Sequence, residues 1–172
     1  TVLGDGDYVG GLAGSNSNLI ENSTTVSNVS GRENVGGIVG DNDGKINNST
    51  VSGSINGSDS VGGIVGLNRR DSSVINSRST AVVSGRVNVG GIAGENYPNA
   101  TIATSVGNTT VDGRLQVGGL VGDNSGIVEN TTATSTVNGD FRVGGLVGQN
   151  GFTTPNSAVI RNSVAHAAVN GR

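Results

Sequence analysis

The 172-residue chain carries 31 glycines, 13 acidic and 10 basic residues, one histidine and no cysteine, for a formal net charge of −3. Those counts exclude a disulfide framework, thiol chemistry, a Cys-His pair and a His-rich zinc site. They also make nucleic acid and anionic membranes poor partners.

The first element in chain order is the block Val-Gly-Gly-Leu-Ala-Gly at residues 9–14. A block of this kind, Val-Gly-Gly-(Ile/Leu)-(Val/Ala)-Gly, returns at Val35, Val61, Val89, Val117 and Val143, at spacings of 26, 26, 28, 28 and 26 residues. Each block is followed by one free residue and an asparagine: Asn16, Asn42, Asn68, Asn96, Asn124 and Asn150. After a spacer comes an apolar residue two places before a second slot, which holds Asn22, Asn48, Asn76, Asn130 and Asn162, with Thr104 in the remaining repeat. Seven residues further stands Val29, Ile55, Val83, Val111, Val137 or Val169, and two beyond it a glycine. A period in this range marks a unit that cannot bury its own apolar face and must stack on its neighbours.

Each repeat predicts two or three short strands: one at the block, one at Ile-x-Asn-Ser and one leading to Val-x-Gly. Val, Ile and Leu set among Ala, Ser and Thr suit strands, and no segment keeps a helical period. Most glycines hold fixed slots, so they are positional: for corners with φ > 0, or for close approach where no Cβ fits. Whether Val35 and Ile38 share a face depends on a bend at Gly36-Gly37. The two asparagine rows are expected to hydrogen-bond up the stack, as Asn ladders do in cross-β assemblies. Their alternative use is glycosylation, because Asn22, Asn48, Asn56, Asn99, Asn108 and Asn130 all stand in Asn-x-Ser/Thr.

The expected fold is therefore all-β, a parallel β-solenoid of about six coils of 26–30 residues. Crossover geometry favours a right-handed coil. The chain reads as one repeat domain over 1–172, with coils near 9–34, 35–60, 61–88, 89–116, 117–142 and 143–172, cut from a longer array. No signal peptide and no apolar run of bilayer length is read in it, so a soluble segment without membrane insertion is expected.

The pattern Val-Gly-Gly-Leu-Val-Gly-x-Asn followed by Ile-x-Asn-Ser resembles the GLUG-motif repeat of bacterial secreted and surface proteins. These include adhesins and the non-catalytic regions of immunoglobulin A metallopeptidases. The resemblance implies an extracellular setting and an architectural role more than an activity. Members often carry Tyr-Ala-Thr-Gly after Asn-Ser; here Ser49 is followed by Thr50-Val51-Ser52-Gly53 and Ser163 by Val164-Ala165-His166, so the aromatic row is missing.

Candidate sites are few. The sole histidine, His166, shares a slot with Val26, Ser52 and Thr80 and reads as a surface residue. Asp41-Asn42-Asp43-Gly44 and Asp123-Asn124-Ser125-Gly126 resemble pieces of a calcium loop but lack a closing Glu, so no cofactor is expected and calcium is the one ion worth weighing. Arg114, Asp140 and Arg172 fall in one slot and suggest a charged row.

All length variation lies in the spacer between the two asparagine slots, which is 6, 6, 8, 8, 6 and 12 residues long. Such an edge is where repeat arrays place binding loops. Tyr97 and Phe152 lie there with Arg69, Arg70, Pro98 and Pro155, so Arg69, Arg70, Tyr97 and Phe152 are the candidate ligand-binding residues. The function expected is a non-enzymatic stalk or scaffold of a bacterial surface adhesin. The alternatives are a carbohydrate-binding or carbohydrate-processing β-helix, and a fibre stacking through open coil ends. The corresponding partners are neighbouring repeats or domains of the same chain, a host-cell surface or glycan, or further copies of the chain end to end.

Overall fold

The computed structural model describes residues 1–151 and 157–171. Its described residues contain strands, turns and bends but no helix, and every strand pairing is parallel. The chain winds as a β-solenoid whose coil has four sides.

Three sides are six-stranded sheets. In the second coil, sheet I holds Glu33–Gly36, sheet II Val39–Asn42 and sheet III Lys45–Asn47, and each pairs in register with the same slots of the coils above and below. The fourth side is a continuous seven-residue strand in the first two coils, Thr24–Ser30 and Thr50–Asn56. From the third coil on it divides into two short strands, the first such pair being Arg78–Ser79 and Val82–Ser84. Six rungs at about 4.8 Å, joined by five full turns, give a rod roughly 29 Å long.

The block is two strands rather than the single one expected from sequence. Sheet I ends at Gly36, the chain bends at Gly37-Ile38, and sheet II starts at Val39. The bend resets the side-chain phase, so Val35, Ile38 and Val39 all lie fully buried. They join Ile46, Val51 and Ile55 in one core that runs from Val9 to Val137 through the middle of the stack.

The block glycines serve close approach. None lies in the left-handed region; among the described glycines only Gly53 and Gly151 do. A Cβ on Gly40 would sit 2.6 Å from the Asn34 carbonyl oxygen, and one on Gly66 2.5 Å from the Val35 nitrogen. Sheets I and II therefore touch backbone to backbone, a separation that no side chain permits. The left-handed corners are made by non-glycine residues. Asn22, Asn48, Asn76, Asn130 and Asn162, with Thr104, take φ between 47° and 53°, a conformation asparagine adopts at less cost than other side chains.

The two asparagine rows behave differently. In the row after the block, Asn16 Nδ2 donates to Asn42 Oδ1, Asn42 to Asn68, Asn68 to Asn96, Asn96 to Asn124 and Asn124 to Asn150, each at 2.8 Å. Asn42, Asn68, Asn96 and Asn124 are essentially inaccessible to solvent. The amides of Asn42, Asn96 and Asn124 also reach carbonyls of the adjoining turn, as Asn42 Nδ2 does to Gly44 O at 3.2 Å, so the ladder satisfies polar backbone inside the rod.

The hydrogen-bonded ladder expected of the second row is reduced to a single link among the described residues. These asparagines are exposed corner residues, and one link, Asn48 Nδ2 to Asn22 Oδ1 at 2.6 Å, joins two of them. The buried ladder on that side is built by the residue after the corner. Ser49 Oγ accepts from the Ser23 amide, Ser77 Oγ from the Ser49 amide and Ser105 Oγ from the Ser77 amide, at 3.1–3.3 Å. Each of these hydroxyls also donates to a carbonyl two residues back, Ser77 Oγ to Ile75 O at 2.8 Å. A side chain in the left-handed corner points to solvent, and the small hydroxyl next to it turns inward.

Candidate functional site

The spacers are where the coil departs from uniformity. In the first two coils the ladder asparagine connects to sheet III through a two-residue bend, Asp43-Gly44 in the second. The third and fourth coils each add two residues, and both take the same shape. The Ser72 amide donates to Arg69 O at 3.2 Å and the Ala100 amide to Tyr97 O at 3.0 Å, closing turns whose third residues, Asp71 and Asn99, have φ of 61° and 64°. Pro98 at the second position with a left-handed Asn at the third is the sequence preference of a type II turn.

The turns stack. The Asp43 amide donates to Asn16 O at 2.8 Å, the Arg69 amide to Asn42 O at 2.8 Å and the Tyr97 amide to Asn68 O at 2.9 Å. Asp43, Arg69 and Tyr97 thus stand in one slot on successive rungs, about 4.8 Å apart and tied to the asparagine ladder. With Arg70 they line an open depression of about 370 Å³. A second depression of about 360 Å³ adjoins it across Asp43 and is lined by Lys45, Asp71 and Leu19 among others. The structure therefore brings Arg69, Arg70 and Tyr97 together. Phe152 lies outside the described residues.

Arg69 is fixed by Asp41, whose carboxylate oxygens accept from Nε at 2.7 and 2.9 Å. This hydrogen bond to a carboxylate holds the guanidinium pKa above its usual value. Asp41 stands one residue before a ladder asparagine and is buried against the rod, so the pair anchors the turn. Arg70 is exposed and makes no ion pair among the described residues. Burial, with the Glu95 carboxylate nearby, raises the Tyr97 hydroxyl pKa, and the ring remains about one-third exposed.

The slot of Asp41 holds further acids: Asp123, which the sequence offered only as a piece resembling a calcium loop, and Glu95, which sequence reading did not single out. Glu95 and Asp123 pair in register across sheet II. Glu95 Oε1 accepts from Asn88 Nδ2 at 2.8 Å and from Ser60 Oγ, whereas Asp123 Oδ1 is enclosed without a donor. Burial first, then the Glu95 charge, pushes the Asp123 carboxyl up to about 6, against a smaller opposing effect of Arg142. The signal was present as Asp or Glu one place before the ladder Asn, but only the register shows which acids face one another.

The other sequence candidates are dispersed. His166 is exposed on the last coil. In the pieces resembling a calcium loop, Asn42 and Asn124 are rungs of the ladder and Asp41 is held by Arg69. Among the described residues no three His, Cys, Asp or Glu side chains gather as a metal ion needs. Arg114 meets Asp140 at 3.7 Å, Arg32 meets Asp7 at 2.9 Å and Arg86 meets Asp59 at 3.0 Å, all on exposed surface. Arg172 lies outside the described residues.

Comparison with known proteins agrees with this geometry. Residues 31–56, one full coil, match the family model of the GLUG motif. The solved structure of a candidate immunoglobulin A1 protease from Bacteroides ovatus superposes with a TM-score of 0.76 at 24% identity, covering 98% of this chain and 59% of that one. The likeness shows the fold, and this chain spans about three-fifths of that protein's length. No curated protein matches the chain.

Proposed function

We propose that this chain is a non-catalytic structural repeat segment, a stalk of a bacterial cell-surface, adhesin-like protein that holds a binding or enzymatic domain away from the cell. The observation that supports the reading is the asparagine ladder. Five links of 2.8 Å run through all six rungs, together with the serine row and the sheets, so the buried polar chemistry of the rod is directed to stacking. A rod that transmits position needs this regularity, whereas catalysis needs titratable groups converging on a cleft. The likeness to a candidate immunoglobulin A1 protease suggests a place beside a catalytic unit in such proteins.

The stalk role is tested by display. Capsulated bacteria carrying an unrelated binding head on this rod should capture the head's ligand better than cells carrying the head directly on the same anchor; equal capture would overturn the reading. Incubation of the purified chain with immunoglobulin A should leave the antibody intact, and cleavage would overturn the non-catalytic assignment.

A further inference from the structure

We propose that the stacked turns 69–72 and 97–100, with Asp43 beneath them, form a binding site for a carboxylate-bearing sugar, such as the uronic acid units of an acidic polysaccharide. This goes beyond the stalk role, which requires no ligand.

The argument begins with what the site has been built to hold still. The two inserted turns share one backbone form, with left-handed Asp71 and Asn99 at matching positions, and they hydrogen-bond to the ladder through Arg69 and Tyr97. Pro98 and Ser72 are buried beneath them. A ligand that docks here orders little that is not already ordered, which lowers the entropic penalty of binding.

The chemistry then selects the ligand. Asp43, Arg69 and Tyr97 occupy successive rungs, so a carboxylate, a guanidinium and an aromatic ring lie along one line parallel to the rod axis. Among the described residues Arg69 uses only Nε toward Asp41, its terminal nitrogens have no acceptor, and Arg70 beside it has no ion pair. Two guanidinium groups with free donors suit a carboxylate, which each can hold in a two-point fork. The Tyr97 ring offers an apolar face to the hydrogens of a sugar ring, and the exposed Asp43 carboxylate accepts from sugar hydroxyls. The depression is open and continues past Asp43 into the one lined by Lys45, a shape for an extended chain rather than an enclosed small molecule. An acidic peptide with a carboxylate on every residue would satisfy the arginines but also set carboxylates against Asp43 and Asp71, where a sugar chain with carboxylates on alternate units offers hydroxyl donors instead.

The test is isothermal titration of the purified domain with three probes: a tetrasaccharide of alternating uronic acid and N-acetylhexosamine, the same tetrasaccharide with its carboxyls reduced to alcohols, and hexaglutamate. The parent protein should bind the acidic sugar, and carboxyl reduction should weaken binding by about tenfold, as for loss of a charge-assisted contact. Arg70→Gln and Tyr97→Ser should each weaken it about as much while circular dichroism and melting temperature stay at parent values. Arg86→Gln, which removes a charge paired with Asp59 elsewhere on the rod, should bind as the parent does. The Arg70 side chain is exposed and unpaired among the described residues, so that variant reports on the site even if Tyr97→Ser disturbs its turn. No binding of the acidic sugar by the parent, undiminished binding by folded Arg70→Gln, or tighter binding of hexaglutamate would each overturn the proposal.

Discussion

Replacing Asn68 with alanine removes the middle of the asparagine ladder. Asn68 is completely buried, its Nδ2 donates to Asn96 Oδ1, and its Oδ1 accepts from both Asn42 Nδ2 and Ser72 Oγ, all at 2.8 Å. Alanine leaves Asn96 Oδ1 without its donor and returns Asn42 Nδ2 to its long contacts with Gly44 O and Ser73 O at 3.2 and 3.4 Å. Two buried polar groups left under-satisfied cost about 1–3 kcal/mol each. With the small void added, a loss of roughly 3–5 kcal/mol follows. For a domain of this size that lowers the melting temperature by about 10 °C.

The control is Asn76→Ala, one coil corner away, where the side chain is exposed and only the left-handed φ of 50° is at stake, worth about 1 kcal/mol. Thermal melts followed by circular dichroism near the β-sheet minimum compare the two variants directly. Equal melting temperatures for Asn68→Ala and Asn76→Ala would refute the argument that the first asparagine row, and not the second, carries the stack.

Three other outcomes follow from the same geometry. Gly66→Ala drives a Cβ into the Asn34-Val35 backbone and should destabilise by about 3 kcal/mol or more, whereas Gly6→Ala, with nothing near its Cβ, should be neutral in urea unfolding. At the Asn48 corner, with φ of 47°, Asn48→Gly should be close to neutral and Asn48→Val should lose about 1–2 kcal/mol, read from the same urea midpoints. Asp123 has a folded pKa of about 6, above its ordinary value, so the folded state holds this proton more tightly and loses stability as pH rises through 6. Asp123→Asn should therefore raise the melting temperature at pH 8 and leave it almost unchanged at pH 4; the gain is on the order of 1 kcal/mol once partial solvent exposure is discounted.

Much of the fold was legible because a repeat prints its register in the sequence. The spacing of Val35, Asn42, Ile46 and Ile55 from their counterparts fixed which residues stack, and their identities fixed a β-solenoid. Two things were not legible. The sequence left open whether the block bends at Gly36-Gly37, and only the fold shows the bend, at Gly37-Ile38, that sends Ile38 and Val39 into the core together. The two asparagine rows look alike in sequence, yet one faces inward and the other occupies left-handed corners, because the direction of a side chain depends on backbone φ rather than on spacing. At the candidate site, composition pointed to Arg69, Arg70 and Tyr97. Asp41 and Asp43 stood out only as a piece resembling a calcium loop, and register alone shows that they reach Arg69 and Tyr97 from the coil below.

The central claim is that residues far apart in sequence stand on one axial row of an in-register rod. Because the chain has no cysteine, a pair introduced at Glu21 and Arg161 can be spin-labelled cleanly. These exposed positions belong to one row through Asn47, Ile75, Ala103 and Glu129. Five rungs at about 4.8 Å place them roughly 24 Å apart, although 140 residues of sequence separate them. Double electron-electron resonance should give one narrow distribution centred near that distance; a broad distribution, or one centred beyond about twice that distance, would contradict the stacked-coil account.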